Sequence, residues 1–119
     1  MDSRFRVMDL KIWRFAIEIA DELFDIADFL ERKELFRFAE QLRASGMSMS
    51  NNIAEGSGSL SKKEFKNFLN FARGSAFENA NIIILLERRN LINEAQLDKL
   101  LSDLSVLCRQ ITSVQKSLN

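Results

Sequence analysis

The chain has 119 residues, and its 17 lysines and arginines are matched by 17 aspartates and glutamates. That length suits one domain; 46% hydrophobic and 29% charged residues exclude a disordered chain and one embedded in bulk in a membrane. Absence of histidine removes the commonest general base and metal ligand, and the single cysteine, Cys108, can build neither an internal disulfide nor a zinc site alone.

Zero net charge gives no global argument for a polyanionic partner, but the charges are uneven. Residues 1–60 carry eight basic and eleven acidic side chains, whereas residues 61–90 carry six basic and three acidic. There is no proline, so helices can run long, and ten phenylalanines demand a large buried surface. The first ten residues do not read as a signal peptide. The longest unbroken apolar run, residues 82–86, is far too short to span a bilayer. A cytoplasmic protein without membrane contact is the expectation.

The first predicted helix covers 10–31, with Asp9 as its N-cap. Leu10, Trp13, Ile17, Ala20, Phe24 and Ala27 repeat at 3-4 spacing, and so do Ile12, Ala16, Ile19, Leu23, Ile26 and Leu30. Two adjacent stripes make an apolar face wider than one seam needs. Leu10, Trp13, Ile17 and Phe24 are therefore the candidate oligomer seam. Glu18, Asp21, Glu22, Asp25 and Asp28 form the polar side and read as a solvated face.

The second helix is predicted over 34–55 on the stripe Leu35, Phe38, Leu42, Met49 and Ile53. Residues 45–52 are poor in helix formers, yet Met49 and Ile53 stay in phase through them. Gly56 fits a left-handed position that ends the helix. The third helix, over 62–89, opens on a capping box, Ser61 with Glu64. It continues through Phe65, Phe68, Leu69, Ala72, Ala76, Ile83 and Leu86. The fourth, over 94–117, opens at Asn93 with Gln96 three residues on, and keeps a 3-4 alternation from Leu97 to Leu118. Short connections between helices of similar length make sequential neighbours antiparallel. The expected fold is an all-α, up-and-down four-helix bundle in a single domain, 1–119.

Chemistry is sparse. Di-metal bundles need inward carboxylates and usually Glu-x-x-His motifs, so no metal or cofactor is expected. The serines between 48 and 61 have no histidine to activate them, and turn and capping roles account for them. Residues 56–63 superficially resemble a phosphate loop, but the glycine spacing fails and a helix precedes them. No catalytic residue is assigned, and an enzyme is not expected.

Lys62, Lys63 and Lys66 at the start of the third helix, with Arg37, Arg43 and Arg73, are the candidate phosphate contacts. Gly46 and Gly74 lie inside helices, where close helix contact would justify them. Around them, Gln41, Asn51, Asn52, Glu55, Ser75 and Glu78 are expected to form a structural polar cluster joining the second and third helices, with a binding surface as the alternative. Gln41 and Arg43 are placed near residues 73–78.

Several segments resemble the 23S rRNA intervening-sequence protein family. Leu10-Lys11-Ile12-Trp13-Arg14-Phe15-Ala16 is similar to its opening segment, and Gln41-Leu42-Arg43-Ala44 to a second. Ser50-Asn51-Asn52-Ile53-Ala54-Glu55-Gly56 is similar to its Asn-Ile-Ala-Glu-Gly segment. Phe65, Phe68, Leu69, Ala72-Arg73-Gly74-Ser75 and Glu78 resemble a fourth. The motifs fall in order over nearly the whole chain, departing from the pattern at Ser45, Met49 and Ser59. The resemblance implies a small bacterial four-helix bundle that assembles as a ring, with a pentamer expected. It also implies kinship with accessory proteins of diversity-generating retroelements, which bind nucleic acid. A non-enzymatic homo-oligomeric binding module follows, with RNA or a nucleic-acid-handling protein as partner. The alternative is a scaffold with no nucleic-acid contact.

Overall fold

In the computed structural model, which describes residues 4–119, a 3-10 turn at Arg6–Asp9 leads into four helices. They are α1 (Lys11–Arg32), α2 (Phe36–Ser57), α3 (Lys62–Arg88) and α4 (Glu94–Ser117). Each follows its predecessor antiparallel, and α4 closes the bundle against α1. Helices of 22 to 27 residues rising about 1.5 Å per residue account for a body of 44 × 25 × 24 Å. The fold is the expected all-α four-helix bundle.

The inner stripe of α1, Ile12, Ala16, Ile19, Leu23, Ile26 and Leu30, is buried. It meets Leu42, Met49 and Ile53 of α2, Leu69, Ala76 and Ile83 of α3, and Leu100, Leu107 and Ile111 of α4 in one core. On α2 the core side chain is Ala39; Phe38, assigned to that stripe from sequence, is 38% exposed. Residues 45–52 are helical as expected. Their polar side chains close local bonds, Ser50 Oγ to Met47 O and Asn52 Nδ2 to Ser48 O, which removes the competition such residues offer to a helix.

The helix ends differ from the sequence reading in three places. The N-cap of α1 is Leu10, with no side-chain cap bond, because Asp9 belongs to the preceding 3-10 turn. The second helix starts at Phe36, not 34, because Glu34 takes a left-handed φ of 62°. Its N–H bonds Glu31 O while Leu35 N–H bonds Leu30 O, the paired bonds of a Schellman end. Asn90 (φ 59°) ends α3 in the same way. Gly56, assigned a left-handed role, instead lies within α2, and no glycine of the described chain has positive φ.

Glutamate at a left-handed position carries Cβ strain that glycine lacks. Glu34→Gly is therefore expected to stabilise the fold by up to about 1 kcal/mol, seen as a higher urea midpoint at unchanged m-value. Asn90→Gly is expected to gain less, because asparagine tolerates this conformation.

Two predicted starts are present. Ser61 Oγ accepts the Glu64 N–H at 3.1 Å, which is one half of the expected capping box. Asn93 and Gln96 form a reciprocal capping box at 2.7 and 2.9 Å. Among the described residues no helix is long and apolar enough to cross a membrane.

Candidate nucleic-acid interface

A groove of about 530 Å³ runs between α3 and α4. Its floor is apolar: Ala76, Ala80, Leu101, Leu104 and Cys108. Its walls carry Arg73 and Phe77 from α3, and Arg109, Thr112 and Lys116 from α4. No acidic side chain lines it.

The local sequence explains the sign. Residues 65–77 and 104–119, which run past each other here, contain no aspartate or glutamate. Toward the start of α3 the cationic strip continues through Lys66 and Lys62, one turn apart. Lys66 is tied to α4: its Nζ bonds Asn119 Oδ1, and its carbonyl accepts from Gln115 Nε2 at 3.1 Å. Lys63 is exposed at the same end. Among the described residues, Lys62, Lys66, Arg73, Arg109 and Lys116 have no carboxylate within ion-pairing range.

Arg73 is half-buried, and its guanidinium lies 5.3 Å from the centroid of the Phe77 ring. Its Nε is buried without an acceptor among the described residues. Burial pushes the Cys108 thiol above its ordinary pKa, and the Arg73 charge only partly opposes that. The thiol therefore stays protonated at neutral pH and is a poor nucleophile.

The other predicted contacts lie elsewhere. Arg37 is at the first turn of α2, about 30 Å along the bundle from the start of α3 by helical rise. Arg43 does not approach residues 73–78. It reaches Asp28 at 2.8 Å and Glu31 at 2.9 Å, because α2 offers this edge to the acidic side of α1. Those bonds raise the guanidinium pKa further and set its charge against two carboxylates. Lys99 is engaged in the same manner, with Glu22 and with Asp103 at 3.1 Å. Of the six predicted cations, Lys62, Lys66 and Arg73 share one face of α3 by helical spacing, Lys63 is exposed to one side of it, and Arg37 and Arg43 lie elsewhere. Arg109 and Lys116, which sequence reasoning missed, complete the strip.

The predicted polar cluster is found in part. Gln41 Nε2 donates to Glu78 Oε2 at 2.9 Å, Ser75 Oγ lies 2.7 Å from Ser48 Oγ, and Asn52 joins Ser48. Asn51 turns to a shallow groove between α1 and α2, and Glu55 is exposed. The centre of the network, absent from the sequence reading, is Asn79, which is fully buried. Ser45 Oγ donates to its Oδ1 at 2.7 Å, and its Nδ2 donates to the carbonyls of Ser45 and Ser75, both at 2.9 Å. In the α1–α2 groove, Trp13, Ile17 and Phe24 are half-buried, as is Leu10 beside them.

Gly46 has the expected close neighbour, since a Cβ there would lie 3.4 Å from Leu23 Cδ1. Gly74 has none within 4 Å, so packing inside the chain does not account for it. Among the described residues no group of three or more acidic, cysteine or histidine side chains is arranged to hold a metal.

Fold and groove define an all-α four-helix bundle with a cationic groove between α3 and α4. The chain belongs to the 23S rRNA-intervening sequence protein family, whose model matches residues 8–113. Its structure is similar to a crystal structure of a protein of unknown function from the S23 ribosomal protein family of Bacteroides thetaiotaomicron. That likeness has a TM-score of 0.82 at 26% identity, over 88% of this chain and 98% of the other. No curated protein matches the chain.

Proposed function

We propose that this protein is a non-enzymatic, self-associating bundle that binds RNA through the phosphate backbone along the α3–α4 groove. The observation that supports this reading is the strip Lys62, Lys66, Arg73, Arg109 and Lys116, free of carboxylates on a chain whose overall charge is zero. Its acids are concentrated elsewhere, chiefly on α1, so the neutral total hides a face that attracts polyanions. The pocket between α1 and α4 carries Glu22 and Asp25 and has the wrong sign for this role. Self-association would use the half-exposed apolar stripe of Leu10, Trp13, Ile17 and Phe24, and the ring-like pentamer expected of the family is the assembly proposed. Light scattering that gives only a monomer would remove that part. A cytoplasmic location suits both parts.

Binding to a structured ribosomal RNA fragment is the test. With about five cations engaged, the log–log plot of affinity against salt should be linear, with a slope of roughly −3 to −5. Absence of binding at low salt would leave a scaffold that contacts other proteins.

A further inference from the structure

Resting on that reading, we infer that the α3–α4 groove takes single-stranded rather than duplex RNA, with a base stacked on Phe77. Phe77 is 59% exposed at the wall of the groove, among Arg73, Arg109 and Lys116. A large aromatic surface left in water is explained by a flat apolar partner, and a nucleobase is such a partner when its phosphates are held beside it. Arg73 lies 5.3 Å from the ring centroid, which braces the ring and places a cation next to it. Cationic side chains interleaved with an exposed ring suit a strand whose bases are splayed out. Duplex RNA keeps its bases stacked on each other and offers only backbone and groove edges.

Phe71 provides the contrast. It is similarly exposed, at 57%, but it does not line the groove, and its ring packs edge-on against Phe68 at 6.0 Å. It is not a stacking platform for a strand in the groove.

The experiment compares an unstructured RNA of about 12 nucleotides with the duplex it forms with its complement, by fluorescence anisotropy across a salt series. Wild-type protein should bind the single strand more tightly. Phe77→Ala should lower single-strand affinity by roughly 5- to 100-fold, leave the salt slope unchanged and leave duplex binding unaffected. Phe77→Trp should retain the affinity, and Phe71→Ala should bind like wild type. Circular dichroism of each variant checks that the bundle is intact. If Phe77→Ala binds the single strand like wild type, or weakens strand and duplex alike, the inference is overturned while the backbone-binding reading stands. If neither RNA binds at low salt, the proposed function itself fails and takes this inference with it.

Discussion

Asn79→Ala is expected to cost about 2–4 kcal/mol of folding free energy, read from urea denaturation. The side chain is wholly buried and makes three bonds, one from Ser45 Oγ and two to the carbonyls of Ser45 and Ser75. It thereby clamps α2 to α3 in the middle of the bundle. Alanine removes all three bonds and leaves a void. Asn79→Asp is expected to be worse at neutral pH, by more than about 3 kcal/mol, because a carboxylate would face two carbonyl oxygens without water. Burial would raise its folded-state pKa above the unfolded value near 3.9. The variant should therefore be most stable below that pH and lose stability as pH rises through the raised folded pKa. A stability profile for Asn79→Asp that is flat between pH 4 and 7 would contradict this account.

Gly56→Leu is expected to unfold the protein or lower its stability by more than about 3 kcal/mol, and Gly56→Ala by about 1–2. A Cβ at Gly56 would lie 2.8 Å from Phe65 Cδ1 and 2.9 Å from Phe68 Cβ. Phe65 is itself buried, so the start of α3 must move away from the end of α2. The helix-propensity gain of alanine over glycine, about 1 kcal/mol, offsets only part of that cost. Gly74→Ala is the control, because open space surrounds that position and the same gain should appear as stabilisation. Thermal melts of the two alanine variants should move in opposite directions.

These two sites also show where sequence reading stops. The helices themselves are written in local spacing: apolar residues at 3-4 intervals, Asn93 with Gln96, Ser61 ahead of Glu64. Gly56 also stands out in the sequence, but a glycine beside Gly58 and serines reads as a turn. The close approach of Phe65 that requires it depends on how α3 packs back on α2. Glu34 and Asn90 end their helices in a conformation usually signalled by glycine, so the boundary at Phe36 had no local marker.

Asn79 looked like any polar residue between helical apolar positions. Its role depends on Ser45, 34 residues away, being small enough to admit it at the contact. The cationic strip was half legible. Lys62, Lys63, Lys66 and Arg73 belong to the net-positive residues 61–90, whereas Arg109 and Lys116 lie far along the chain on α4. Antiparallel packing of α3 and α4 brings the two sets together. The sequence carries one signal for them: no acid occurs anywhere in residues 104–119. Arg37 is grouped with the strip by charge and Arg43 by its expected place near residues 73–78, and the structure sends them to the far end of α2 and to the acids of α1.

The central claim is that RNA phosphates lie along the α3–α4 groove. It is tested most directly by removing Arg73, Arg109 and Lys116 together as alanines. The matched control removes Arg37 and Arg43, and both variants are titrated with the ribosomal RNA fragment over a salt series. The groove variant should weaken binding and reduce the magnitude of the salt slope by about 2 to 3, while the control keeps the wild-type slope. Equal slopes for wild type and groove variant, or a loss confined to the control, would contradict the account.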